Sequence, residues 1–170
     1  MSNKKLLITE SPVGSILIMA EEGFIIGLDF VQDDYECGHT KKLNEIGGHY
    51  DKPVLKQAHE WLYAYFSGNV LDIPPIKLQG TDFRMMVWEL IKEIPYGKTK
   101  SYGELAKILA KRRGSAMSAR AVGGAAGKNP IAIIVPCHRL VGANGKLVGF
   151  GGGIEKKRIL LEIEREYSGR

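Results

Sequence analysis

The stretch from Asn69 to Gly80, which carries Pro74-Pro75 and closes on Gly80, sets the strongest limit on how this chain folds. Adjacent prolines lack backbone donors and hold φ near about −65°, so neither a helix interior nor a central strand passes through them. Apolar residues before this stretch include β-like runs, and those after it follow helical spacing. Residues 69–80 therefore read as a connection between two domains, 1–80 with the connection included and 81–170. A length of 170 residues allows each a core of its own.

Charge follows the same division. Residues 1–80 carry 7 Lys+Arg against 11 Asp+Glu, net −4, whereas residues 81–170 carry 17 against 8, net +9. A basic domain points to a polyanion such as nucleic acid, although a solvated lysine surface gives the same excess. Cys37 and Cys137 do not make a disulfide framework, so a reducing compartment is the simpler expectation. Met-Ser-Asn-Lys-Lys is followed by a short apolar run that does not resemble a secretory h-region, and no stretch approaches a membrane span. A soluble, cytoplasmic protein without membrane association is expected, or a nuclear one in a eukaryote.

In the first half, Lys5 to Thr9, Ser15 to Ala20 and Phe24 to Val31 read as strands, with a hairpin turn at Glu21-Glu22-Gly23. Gln32 to Tyr50 breaks periodicity and holds Cys37, His39 and His49, with His59 further on. Their spacing matches no tight ligand pattern, and no metal is expected. Asp51 to Phe66 has apolar residues at helical spacing and is stopped by Ser67-Gly68.

The second half opens with a helix capped by Thr81 or Asp82, with Phe83, Val87, Leu90, Ile91 and Ile94 on one face, ended by Pro95-Tyr96-Gly97. Ser101-Tyr102-Gly103-Glu104 is a capping box that opens a second helix. After Lys111-Arg112-Arg113-Gly114, a third runs from Ser118 to Lys128, completing a helix-turn-helix pattern. That third helix is almost wholly small residues. Gly123 and Gly124 each cost about 1 kcal/mol of helix propensity against Ala, so tertiary contacts must support it. Small side chains let something flat approach the backbone, whether another helix or a nucleic-acid groove, and Arg120 projects alone from the first turn. Further on, Asn144-Gly145 signals a hairpin with Lys146 to Val148 returning, then Gly149-Phe150-Gly151-Gly152-Gly153, then a last helix from Ile154 to Glu166 with Lys and Arg outward.

Ile131-Ala132-Ile133-Ile134-Val135 suits a strand covered on both faces, and Pro136 ends its pairing. Cys137 then stands at a rigidly backed corner beside His138 and Arg139. A lone intracellular cysteine is usually a buried small hydrophobe, but a neighbouring cation favours the thiolate. On extended backbone consecutive side chains point opposite ways, so His138 reaches the thiol only through a water or a third residue.

Val-Pro-Cys-His-Arg-Leu at 135–140, Arg-Ala-Val-Gly-Gly-Ala at 120–125, Lys-Asn-Pro at 128–130, Ser-Tyr-Gly-Glu-Leu at 101–105 and Gly-Phe-Gly-Gly-Gly at 149–153 together resemble the O6-alkylguanine-DNA alkyltransferases. The resemblance runs from about Thr81 to Glu164, and the first 80 residues fit that family as a variable β-rich domain. It implies a mixed α/β (α+β) protein: a small β-rich N-terminal domain with a helix, and a mostly helical, winged helix-turn-helix-like C-terminal domain carrying the active-site cysteine.

The resemblance also implies roles. Cys137 is the nucleophile that takes the alkyl group from O6-alkylguanine, and also from O4-alkylthymine, in double-stranded DNA. His138 activates it through a water, Glu164 orients His138, and Tyr102 protonates the leaving guanine. Asn129 braces the turn between recognition helix and thiol. Arg120 fills the gap left by the flipped nucleotide, while Ser101, Tyr102, Ala121, Gly123 and Gly124 lie along the minor groove. Pro136, Leu140, Phe150 and Gly151 belong to the base pocket, with Phe150 where many relatives have Tyr. The product is a thioether that water does not hydrolyse, so the protein acts once, as a monomer and without cofactor. A lesion-binding protein of this fold lacks the cysteine. A winged-helix regulator leaves Pro-Cys-His-Arg unexplained, and a thiol hydrolase lacks a second histidine as base.

Overall fold

Alternating apolar residues near the start of the chain build an antiparallel sheet in the order β1-β2-β3, formed by β1 (Lys5–Thr9), β2 (Ile16–Glu21) and β3 (Phe24–Phe30). Leu7 pairs with Ile18, Ile16 with Phe30 and Ile18 with Leu28, so these side chains share one buried face. Glu22 and Gly23 both have positive φ, 52° and 82°, which matches a two-residue turn to the twist of its strands. The computed structural model describes residues 4–31, 52–69 and 71–169. Its contacts divide between Lys77 and Leu78 into two units.

Helix α1 (Pro53–Phe66) lays Val54, Leu55, Ala58, Leu62 and Tyr65 into the first unit, with Pro53 at the first position, where no helical donor is lost. Asp51 and residues 32–50, with Cys37, His39 and His49, lie outside the described residues. His59 is described, and its Nδ1 lies 3.0 Å from the Thr9 hydroxyl. The proline pair is also less detached than a plain connection. Ile25 N–H donates to the Pro75 carbonyl at 2.8 Å and Lys77 N–H to the Ile25 carbonyl at 2.9 Å, tying this stretch to β3. Pro75 needs only to accept, so the missing donor does not matter.

In the second unit, Thr81 caps α2 (Asp82–Lys92) by accepting from Arg84 N–H, and Val87, Trp88, Leu90 and Ile91 are buried. Ser101 and Glu104 form a reciprocal capping box at the start of α3 (Tyr102–Arg113), which closes on Gly114 at φ 67°. Ser118 caps α4 (Ala119–Ala126), whose buried residues are Val122, Ala125 and Ala126. Trp88 Nε1 donates to the Ala125 carbonyl at 2.9 Å, so α2 supplies the tertiary support that a glycine-containing helix needs. The last helix, α5 (Ile154–Ser168), packs near the cysteine turn. Mixed α/β architecture and the helix-turn-helix of α3 and α4 thus match the expected fold.

Three local expectations fail. Ile131 to Val135 is no strand: Val135 N–H donates to the Ile131 carbonyl at 3.0 Å, Ile134 N–H to the Ala132 carbonyl at 2.8 Å, and Ile133 has φ 67°. The five residues are buried all the same. A continuous apolar run reports burial on all sides, which a compact turn also provides once its backbone groups find partners. Lys146 to Val148 is no returning strand either. Asn144 and Gly145 do adopt left-handed φ, 57° and 76°, but β5 (Leu140–Val141) pairs in parallel with β4 (Lys100–Ser101) instead. Finally, Lys157 does not join the outward charged face of α5; with Leu160 and Glu164 it is fully buried.

Candidate active site

The thiol stands at the start of a 3-10 turn, Cys137–Arg139, rather than on extended backbone. Helical geometry sends the three side chains in different directions. Cys137 is half-buried on the wall of a cavity, whereas the His138 ring turns inward and is completely buried. Asn129 spans the turn before it: its Oδ1 accepts from Ile131 N–H at 3.0 Å, and its Nδ2 donates to the Val135 carbonyl at 2.8 Å and lies 3.3 Å from Cys137 Sγ. One side chain therefore satisfies the groups that a strand ladder was expected to serve, and also fixes the sulfur.

Behind the thiol lies a buried cluster of ionisable side chains. His138 Nε2 is 2.7 Å from Glu164 Oε1. Arg139 holds the same carboxylate through Nε, at 3.1 and 2.9 Å from its two oxygens, and through Nη2 at 3.0 Å; its Nη1 donates to the Ile94 carbonyl at 2.5 Å. Gly97 N–H adds a bond to Glu164 Oε2 at 3.0 Å. Gly97 has φ 72°, and a Cβ there would lie 2.4 Å from that of Ser168, so glycine is needed.

Burial alone would raise the Glu164 carboxyl, but His138 and Arg139 overcome it and hold it down at about 2. Burial in turn pushes His138 below its ordinary value despite the carboxylate, so the ring is neutral at pH 7. A neutral ring that donates from Nε2 to Glu164 carries its lone pair on Nδ1 and is able to accept a proton there. Burial raises the Cys137 thiol above its ordinary value, while the Asn129 amide, the Lys157 charge and nearby backbone N–H groups pull it back in part. The resting sulfur therefore carries its proton, and a base must remove it.

The cavity encloses about 730 Å³, within the usual range of ligand pockets, roughly 300–1,000 Å³. Cys137, Tyr102, Ser101, Arg120, Gly123, Phe150 and Gly151 all line it, so half of the predicted site residues converge there. Asn129, His138 and Glu164 support it from behind. The side chains of Pro136 and Leu140 do not form its walls. Both are buried, and Leu140 is held in β5 opposite Lys100, leaving only backbone atoms to offer. Ala121 and Gly124 lie on α4 outside the cavity wall, Gly124 being exposed. Neither Gly123 nor Gly124 is required by packing within the chain, because a Cβ on Gly123 would meet the Tyr102 ring at an ordinary 3.8 Å and one on Gly124 nothing within 4 Å.

Two residues escaped the sequence reading. Arg139 is consumed by Glu164 and is not the cation beside the thiol. That cation is Lys157, whose Nζ donates to the Val148 carbonyl at 2.7 Å and the Gly149 carbonyl at 3.2 Å. Burial lowers it to about 8, against a raising effect of Cys137. Its position three residues before Leu160 and seven before Glu164, on the inward stripe of α5, was the available signal. The Tyr102 hydroxyl also differs from expectation: it lies 3.1 Å from each of the same two carbonyls, so its proton is already engaged within the loop.

Two family models match the chain: the 6-O-methylguanine DNA methyltransferase DNA binding domain over residues 82–166, and the ribonuclease-like domain of the same proteins over residues 6–79. A methylated-DNA--protein-cysteine methyltransferase of Mycobacterium tuberculosis is 42% identical over 157 residues, covering 92% of this chain and 89% of the relative. One from Methanosarcina acetivorans is 41% identical over 161 residues, covering 92% and 96%. The crystal structure of Mycobacterium tuberculosis O6-methylguanine methyltransferase superposes with a TM-score of 0.77 at 40% identity, over 96% of this chain and 93% of that one. Mycobacterium tuberculosis OGT in complex with DNA gives 0.77 at 38% identity, over 96% and 94%. By this sequence identity over nearly its whole length, the chain belongs to the 6-O-methylguanine DNA methyltransferase family.

Proposed function

We propose that this protein repairs DNA by direct reversal, moving the alkyl group of O6-alkylguanine, and of O4-alkylthymine, onto its own Cys137. The carrying observation is that Cys137 opens into the cavity shared by Tyr102 and Arg120 while Asn129 fixes its sulfur and the buried His138–Glu164 pair stands behind the turn. His138 Nδ1 takes the thiol proton through a water. The sulfur then attacks the alkyl carbon, the S–C bond forms as the C–O6 bond breaks, and the electron pair returns to guanine, whose ring nitrogen accepts the Tyr102 proton. Glu164 keeps the imidazole in the required tautomer. The thioether product is stable, so each molecule acts once, and no step calls for a cofactor.

A base inside a duplex cannot reach this cavity, so the nucleotide must be turned out of the stack. Arg120, exposed at the start of α4 and at the rim of the cavity, is suited to occupy the vacated space. Gly123 and Gly124, which packing within the chain does not require, let Ala121 and the rest of this face approach the minor groove, and Ser101 flanks it. Phe150 offers a ring face to the base, with Gly151 N–H near O6 and the Cys137 and Leu140 carbonyls toward the exocyclic amine. Residues 81–170 carry this work and residues 1–80 form a separate domain; the protein acts as a monomer in the cytoplasm or nucleus. No helix among the described residues is long and apolar enough to cross a membrane.

Incubation with duplex DNA containing O6-methylguanine tests the reading. Intact-mass and peptide mapping should show one added methyl group on Cys137. Lesion binding with no gain in mass would reduce the protein to a recognition module, and indifference to the lesion would leave a general DNA-binding domain.

A further inference from the structure

Lys157 is the one fully buried lysine among the described residues, and the chemistry above makes no use of it. Its ammonium and the Tyr102 hydroxyl come from different helices, α5 and α3, and converge on the same two acceptors, the Val148 and Gly149 carbonyls. Lys157 Nζ also stands 5.7 Å from the centre of the Tyr102 ring. The donors are unequal. A phenol has one proton, and it cannot serve a loop carbonyl and a departing base at once. An ammonium has three protons and no acceptor capacity, so it can hold both carbonyls by itself.

We propose that Lys157 is a positioning residue for Tyr102: by satisfying the Val148 and Gly149 carbonyls it releases the phenol proton for the leaving guanine. This inference rests on Tyr102 being the proton donor. When the hydroxyl turns from the loop to the base, the carbonyls stay hydrogen-bonded to Lys157, and the loop carrying Phe150 keeps its place. As the proton leaves, negative charge grows on the phenol oxygen, and the ammonium beside it offsets that charge. No atom of Lys157 is transferred; the proton passes from Tyr102 to the guanine ring nitrogen and is restored from solvent. The titratable groups around Lys157 are Cys137, Tyr102 and His138, and each has its own part in the reaction.

A lysine that acted mainly by lowering the thiol pKa would assist every electrophile. One that acts through Tyr102 assists only a leaving group that needs a proton. The test is single-turnover methyl transfer from O6-methylguanine DNA, set beside alkylation of Cys137 by iodoacetamide, in which iodide leaves without a proton. Lys157→Met should slow methyl transfer by roughly ten- to hundredfold, the loss expected when a polar partner is removed. Because the Lys157 charge also lowers the thiol, the iodoacetamide rates are compared at equal thiolate fraction, each protein at the same distance from its own Cys137 titration; there the rate should change less than about threefold, which also shows that the pocket has folded. Lys157→Gln, which can still donate to a carbonyl, should recover part of the rate.

The double variant separates this inference from the reading beneath it. With Tyr102→Phe in place, Lys157→Met should add little further loss. A loss from Lys157→Met that is the same whether Tyr102 is present or replaced, or equal slowing with both electrophiles, would overturn the positioning role. A Tyr102→Phe single variant as fast as the parent protein would instead overturn the donor reading itself.

Discussion

His138 Nε2 and Glu164 Oε1 stand 2.7 Å apart with neither side chain exposed to solvent, and Arg139 holds the same carboxylate from another direction. A buried carboxylate is tolerated there because two partners and the Gly97 N–H share its charge. Glu164→Gln leaves the Arg139 guanidinium without its counter-charge, so a loss of roughly 3–5 kcal/mol is expected in urea unfolding. Methyl transfer should fall as well, since the imidazole loses the group that fixes its tautomer. Unchanged stability would mean that Arg139 is neutralised elsewhere.

The same carboxylate sets the acid limit. Its folded pKa, about 2, lies below the ordinary 4.5, so it contributes stability that is complete above about 4.5 and is lost as pH falls toward about 2. The melting temperature should drop through that window. In Glu164→Gln the drop should be shallower, and an identical slope in the two proteins would assign the acid sensitivity to other groups.

The thiol behaves in the opposite sense. Burial raises Cys137 above the ordinary 9.0, so without substrate the sulfur is largely protonated at neutral pH. Its rate with iodoacetamide should keep rising with pH through and beyond 9. A plateau reached near neutrality would show a standing thiolate and remove the need for a base.

How far these features could be read from residues depended on distance along the chain. The Ser101–Glu104 capping box and the Thr81 cap are decided within a few residues and appear where expected, and Asn144-Gly145 turns left-handed although the hairpin strand expected after it does not form. The Ile131–Val135 segment misled because its hydrophobicity reports burial, while its path is set by Asn129, whose amide takes over the backbone bonds of a strand. Lys157 was passed over for a similar reason, although its place on the inward stripe of α5 marked it. Charge alone places a lysine outside, and only the fold shows the two carbonyls that receive it. The gathering of Cys137, Tyr102 and Arg120 around one cavity followed from the family resemblance, whereas spacing alone left them separate.

Asn129 makes that dependence measurable. Removing its amide in Asn129→Ala strips partners from Ile131 N–H, the Val135 carbonyl and Cys137 Sγ together. Two backbone groups left unsatisfied should cost roughly 2–5 kcal/mol in chemical denaturation. The thiol should also titrate higher, seen as slower iodoacetamide reaction at a fixed pH. A loss under about 1 kcal/mol would show that the turn holds itself.

Arg120 lies exposed on the first turn of α4 at the cavity rim. If it fills the gap left by an extruded nucleotide, its contribution belongs to the duplex and not to the chemistry. Arg120→Ala should therefore slow repair of O6-methylguanine in double-stranded DNA by an order of magnitude or more, yet leave reaction with free O6-benzylguanine within about twofold. Equal losses on the two substrates would remove the flipping role.

Gly124 allows the proposed DNA-facing role of α4 to be tested separately from folding. It lies within the helix, is exposed, and has nothing within 4 Å of where a Cβ would stand. Alanine there relieves the helix penalty of glycine without a clash, so Gly124→Ala should stabilise the protein by about 0.5–1 kcal/mol. A residue kept small only for the fold would show no penalty elsewhere. A residue kept small so that a groove can approach should weaken duplex binding while the melting temperature rises, as the added methyl holds the backbone away from the sugar-phosphate wall. Titration with unmodified duplex DNA at constant salt measures this directly, because the phosphate contacts common to both proteins cancel in the comparison. A more stable variant that binds DNA as tightly as its parent would move the groove contact away from this face of α4.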